Sequence, residues 1–161
     1  MQNRQVICRE FGLPENLLIE ESNIPSPEKG EVLVKVLAAG VGYVDSLMVQ
    51  GLYQVKPPLP YYPGSEFAGE VIQVGGAVNN IKSGDLVMGM WRGAYTDHMT
   101  VPSSECTVIP DSLSVEVAGG FYTNYSTALF GLRDCGNLEA GENVLIPVSY
   151  THLTLPTNSL V

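Results

Sequence analysis

Cations are scarce in this sequence: eight Lys and Arg stand against seventeen Asp and Glu, a formal net charge of −9 over 161 residues. A surface that acidic repels phosphate backbones and anionic headgroups, so neither nucleic acid nor a membrane is an expected partner. Cysteine is also sparse. Cys8, Cys106 and Cys135 are odd in number and widely spaced, with no C-x-x-C. They offer no disulfide framework and read as reduced, mostly buried thiols of a cytosolic protein. No apolar run approaches the ~20 residues of a membrane span. The opening MQNRQVICREFGLPEN lacks the apolar centre of a signal peptide. These absences point to a soluble, cytoplasmic chain. Apolar content is ample, at 45% hydrophobic against 16% charged, which excludes an intrinsically disordered chain. The length suits about one domain.

The first two thirds read as short strands punctuated by Gly and Pro. Runs at 6–9 and 17–20 flank a turn at Gly12-Leu13-Pro14 and predict a hairpin. Residues 31–39 alternate as a strand with one buried face, and 44–50 predict a short helix that Gly51 ends. A proline-stiffened loop over 57–63 leads to a strand at 70–74, with further strands at 86–88, 94–101 and 106–109. Many short strands with frequent turns indicate a sandwich or barrel. After Pro110 the pattern changes. A capped helix start at 111–116, a helical run at 122–133 stopped by Gly136, and a buried strand at 143–146 resemble the opening of an α/β unit.

Ala38-Ala39-Gly40-Val41-Gly42-Tyr43-Val44-Asp45 is followed by Pro63-Gly64-Ser65-Glu66-Phe67-Ala68-Gly69-Glu70-Val71, then by Gly75, Lys82-Ser83-Gly84-Asp85-Leu86-Val87 and Gly93-Ala94-Tyr95. In this order the motifs resemble the GroES-like catalytic domain of the medium-chain dehydrogenase/reductase superfamily, in its zinc-independent quinone oxidoreductase branch. The resemblance covers 6–146. It implies a mainly β fold, a partly open GroES-like β-barrel, followed by the first helix and strand of a Rossmann-type domain. The expected division is 1–110 for the catalytic domain, 111–146 for the linking helices and first strand, and 147–161 for a tail outside the fold.

Zinc-dependent relatives hold the metal with a Cys in the first motif and a His in the second; the matching residues are Gly42 and Ser65. Glu66 alone cannot complete a catalytic zinc site, and three scattered cysteines cannot form a structural zinc lobe, so no metal is expected. Without a Lewis acid, the accessible chemistry is hydride delivery to an acceptor already made electron-poor by conjugation: a quinone or an α,β-unsaturated carbonyl. The resemblance implies NADPH as hydride donor, a small-molecule substrate and a homodimeric parent. It places Tyr43 and Tyr53 at the acceptor as catalytic hydroxyls, and Gly42, Asp45 and Thr127 beside the cofactor. Each has a plainer role: Asp45 as a helix cap, the tyrosines as half-buried packing, Thr127 as a helix residue. Trp91 either faces substrate or packs. His98 is expected to face solvent, and neither it nor His152 has a partner for a hydrolase triad.

Nicotinamide cofactors need a glycine-rich turn between strand and helix to receive the pyrophosphate. The family places it directly after the strand at 144–146, yet no G-x-G-x-x-G occurs in this sequence. Residues 147–161 instead carry no Asp, Glu, Lys or Arg and are similar to translated adapter sequence; a genuine short extension is the alternative. The resemblance therefore implies a catalytic-domain fragment of a two-domain reductase, inactive alone. A non-enzymatic binding module of the same superfamily is the second reading. A ring-forming co-chaperonin is a third, which the 64–69 and 83–85 motifs oppose.

Overall fold

In the computed structural model, residues 2–145 are described. The chain divides into two compact units, the first running to Ala128 and the second beginning at Leu129. In the first unit, β1 (Gln2–Ile7) and β2 (Leu18–Asn23) pair antiparallel, Ile7 opposite Leu18. The predicted hairpin exists, but both strands are displaced away from the turn. Residues 8–17 form the connection, which includes a 3-10 turn at Pro14–Asn16.

The main sheet has five antiparallel strands in the order β6-β3-β4-β5-β7. These are β3 (Glu31–Ala39), β4 (Glu66–Val74), β5 (Leu86–Met90), β6 (His98–Pro102) and β7 (Cys106–Val108). β3 spans the predicted residues. β-branched residues suit its pleated, half-buried surface, and Val32 and Val34 are fully buried. Register shifts between Leu33 and Val34 and between Val36 and Ala38 mark bulges against β4; such bulges bend and twist a sheet. The sheet is open rather than a closed barrel: β6 pairs only with β3, and β7 only with β5.

Period-two alternation separates two cores. Phe67, Val71 and Val87 enter one cluster with Val32, Val34 and Val101, while Ala68 and Met88 turn to a second with Ile109 and Ala118. Ala118 lies on α2 (Val115–Ala118), whose N-cap Ser114 accepts the Val117 N–H, so the predicted cap is present.

Three expectations change. β4 begins at Glu66 rather than 70, because Glu66 to Glu70 pair with Met90 to Leu86. β6 begins at His98 rather than 94: the Ala94, Tyr95 and Asp97 N–H groups go instead to the carbonyls of Gly64, Pro63 and Arg4. The helix expected over 122–133 is α3 (Tyr122–Leu129), and the stretch Phe130–Cys135 that follows is π-helical. Gly136 stops it as expected, its N–H reaching the Gly131 carbonyl.

In the second unit the expected buried strand at 143–146 is not seen over its described part. Asn143 to Leu145 pair with no strand among the described residues, and Leu145 is 87% exposed. An apolar run of this kind becomes a buried strand only with neighbours on both sides. Ile146, and the tail assigned to 147–161 with His152, lie outside the described residues.

Candidate functional site

Helix α1 (Tyr43–Val49) follows β3 after a three-residue turn and carries two of the predicted site residues. Its start is fixed by Asp45, whose Oδ2 accepts the Gly42 N–H at 2.9 Å; a carboxylate in the first turn also suits the helix dipole. Its end is fixed by Gly51, in the left-handed region at φ +68°. Asp45 is therefore a cap, as its plainer reading held. It has a second partner as well. Ser65 Oγ donates to Asp45 Oδ1 at 3.0 Å, joining the two motifs across twenty residues of sequence. Just before Ser65, Gly64 packs its backbone against residues 94–95: at φ +99° a Cβ would meet the backbone nitrogens of Ala94 and Tyr95.

Around this pair lies a cleft of about 950 Å³. Met48 and Asp45 of α1 form one wall, Pro57, Pro58, Pro60 and Tyr62 a second, and Met90, Trp91 and Arg92 a third. It continues to Asn3, Ser22, Asn23, His98 and Thr100. The Arg92 guanidinium sits over the Trp91 ring, 5.8 Å from its centre. Apolar walls with a few convergent polar groups are the usual make-up of a small-molecule site.

Behind Ser65 the polar groups continue inward. Glu66 is buried, and its Oε2 accepts the Thr123 N–H at 3.1 Å. Tyr95 donates its hydroxyl to the Gly40 carbonyl at 3.1 Å. Burial first, then the nearby Asp45 carboxylate, push the Tyr95 hydroxyl above the usual phenol range. Burial does the same to Tyr61, reinforced by Cys8. Both phenols thus stay neutral and able to donate across the physiological range.

The predicted residues are distributed unevenly. Asp45 lines the cleft, and Gly42 is bonded to it. Tyr43 opens α1 and is 65% exposed, and Tyr53 is half-buried in the loop beyond Gly51; neither is among the cleft's lining. Thr127 is exposed on α3, its hydroxyl donating to the Thr123 carbonyl at 2.6 Å. Trp91 lines the cleft. His98 departs from its expected solvent-facing place: it is half-buried in the cleft lining, and its Nδ1 is enclosed without a partner. Ser65, Tyr61 and Tyr95 were not singled out as site residues. Ser65 is marked in the sequence by its match to the zinc-ligand position of the relatives, Tyr95 by its place in the Gly93-Ala94-Tyr95 motif, and Tyr61 only by its place in the proline-stiffened loop.

Neither zinc, which the resemblance does not call for, nor the pyrophosphate of NADPH, which it implies, is matched by the described residues. The zinc positions do not fit a metal: Gly42 has no side chain, Ser65 Oγ is bonded to Asp45, and the Glu66 carboxylate is bonded to Thr123. For NADPH, the described residues include no strand–glycine turn–helix to hold a pyrophosphate.

Comparison with known proteins agrees with this geometry. Residues 28–128 match the family model described as the alcohol dehydrogenase GroES-like domain. The chain is 42% identical over 123 residues to the human synaptic vesicle membrane protein VAT-1 homolog, covering 76% of this chain and 31% of that protein. It is 35% identical over 161 residues to the quinone oxidoreductase-like protein 2 homolog of Nematostella vectensis, covering 98% of this chain and 43% of that protein. The chain thus spans less than half the length of these curated relatives. Among solved structures, Escherichia coli quinone oxidoreductase complexed with NADPH superposes with a TM-score of 0.77 at 30% identity, over 82% of this chain and 41% of that one. No helix among the described residues is long and apolar enough to cross a membrane. The chain belongs to the alcohol dehydrogenase GroES-like domain family, in the quinone oxidoreductase-like branch of the medium-chain dehydrogenase/reductase superfamily.

Proposed function

We propose that this chain supplies the acceptor-side wall of an NADPH-dependent, zinc-independent oxidoreductase that reduces quinones or α,β-unsaturated carbonyls. Residues 1–110 form its catalytic domain, and 111–146 lead into the dinucleotide-binding domain. The whole enzyme is a cytoplasmic homodimer. The observation that carries this reading is the cleft, with apolar and aromatic walls meeting one hydrogen-bonded Ser65–Asp45 pair where zinc relatives place their metal.

A nicotinamide held by the rest of the whole enzyme would supply a hydride, and the acceptor oxygen would then need a proton. The remaining work belongs to this chain. Trp91 and the proline wall hold a planar acceptor and exclude water. Asp45 fixes both Ser65 and the start of α1, and so the position of Tyr43. The resemblance assigns Tyr43 and Tyr53 as hydroxyl donors to the acceptor oxygen, where negative charge develops, although neither lines the cleft of this chain. Gly42, Asp45 and Thr127 are assigned to the cofactor side.

Trp91 is the sole tryptophan of the sequence, which gives a direct test on the chain itself. Duroquinone, fully substituted and so inert towards the exposed Cys135 thiol, is expected to quench Trp91 fluorescence saturably. Purely collisional, non-saturating quenching sinks the reading. NADPH is expected to bind this chain only weakly; micromolar affinity overturns the proposed division of labour. Similarity to a protein named for the synaptic vesicle membrane rather than for a redox reaction favours a second reading, a non-enzymatic binding module. A full two-domain protein that binds duroquinone but oxidises no NADPH would establish it.

A further inference from the structure

The cleft does not share the acidity of the chain: its lining carries one cation and one carboxylate. Only eight Lys and Arg are present against seventeen acidic residues, so most of the surface repels anions. Yet among the residues lining the cleft the one permanent cation is Arg92. It is exposed, and it forms none of the ion pairs among the described residues, which are Arg4–Asp97, Arg9–Glu20 and Arg133–Asp134. The other charged residue of the lining, Asp45, is only 8% exposed and has both oxygens engaged, one by Gly42 N–H and one by Ser65 Oγ. The exposed Arg92 guanidinium lies over the Trp91 ring, 5.8 Å from its centre, and a guanidinium is a planar fork of donors that suits a carboxylate.

From this arrangement we infer that the cleft selects acceptors carrying a carboxylate, with Arg92 as the specificity-determining residue. The acceptor ring lies among Trp91, Met90 and the prolines, and the carboxylate arm reaches the Arg92 guanidinium at the mouth. The inference rests on the proposed reading of the cleft as an acceptor site and adds the chemical class of the acceptor. A neutral quinone would use the apolar walls alone. An acidic one gains a charge-assisted hydrogen bond, two if the fork is met bidentately.

The test compares duroquinone with its analogue in which one methyl is replaced by a carboxyethyl arm, both titrated against Trp91 fluorescence. The acidic analogue is expected to bind about three- to tenfold more tightly at low salt, the range for a partly solvated charge-assisted contact. Half-molar salt should narrow the gap. Arg92→Gln should bring the affinities of the two quinones together, the acidic one losing more, and Arg92→Lys should keep part of the difference. Arg92 is exposed, so neither variant threatens the core. Equal binding of the two quinones, or a gap that survives Arg92→Gln, overturns the inference and leaves the acceptor reading standing. If neither quinone quenches saturably, both fall together.

Discussion

The unit that runs to Ala128 and the one that begins at Leu129 contain similar kinds of residue and treat them differently. In the first, Val32, Val34, Phe67, Val71, Val87 and Val101 are wholly buried. In the second, Leu129, Phe130, Leu132, Leu138, Val144 and Leu145 are all exposed. Apolar sequence is thus not enough to form a core. The strands of the first unit bury their valines because each finds a partner for its backbone and a facing layer for its side chains. The Asn143–Leu145 run finds neither among the described residues, and its apolar side chains gain little from folding.

The sharpest way to break this contrast is to cut into the first core. Phe67 is the largest fully buried side chain and sits at the centre of the main cluster. Phe67→Ala is expected to cost about 3–5 kcal/mol, from lost transfer free energy plus the cavity left behind. Urea unfolding followed by circular dichroism would read this. A loss below about 1 kcal/mol would mean that the core is far looser than its burial implies.

Alkaline pH should probe the same core more gently. Burial pushes the Cys106 thiol from an ordinary 9.0 to about 12, with Glu105 adding to it. Because the folded value is the higher one, Cys106 contributes stability that is complete below pH 9. Between about 9 and 12 the unfolded chain has lost this proton and the folded chain retains it, so stability falls as pH rises. Tyr61 and Tyr95, raised in the same direction, extend the fall at the alkaline end. Urea midpoints at pH 8 and pH 10.5 should show the decline, and Cys106→Ala should flatten it. An unchanged slope in that variant would assign the loss to the other groups raised in the same direction, the Cys8 thiol and the tyrosines.

What the sequence disclosed follows the range of the forces involved. β3 and the close of α1 at Gly51 were legible because alternation and a left-handed glycine are local signals. The family motifs were legible for the same reason. The start of β6 was not, because the backbone groups of Ala94, Tyr95 and Asp97 are claimed by Gly64, Pro63 and Arg4, which are distant in sequence. The site divides along the same line. Asp45 could be placed at a helix start from its neighbours, whereas its bond to Ser65, the Tyr95 bond to Gly40 and the enclosure of His98 Nδ1 depend on tertiary approach.

A milder change tests whether the local signals contribute energy of their own. Ser114 caps α2, with its Oγ 3.4 Å from the Val117 nitrogen. Ser114→Ala is expected to cost about 0.5–1 kcal/mol, the lower part of the range for lost caps, given that long contact. No change in urea midpoint would mean that α2 is held by Ala118 packing on the second core rather than by its cap.

The smallest expected effect bears most directly on the contrast between the units. Leu145 is the most exposed large apolar residue of the described chain, at 87%. Leu145→Ala should therefore shift stability by less than about 0.5 kcal/mol, as for surface positions generally. The same substitution in a buried parallel strand would cost about 2–5 kcal/mol. The measured value thus reports whether this run has found its neighbours. A near-zero change here beside a large one for Phe67→Ala upholds the difference between the two units. A loss of several kcal/mol would mean that in solution Leu145 is covered, by more of this chain or by a second copy. Repeating the unfolding over a tenfold range of protein concentration separates those two cases, because only association makes the midpoint depend on concentration.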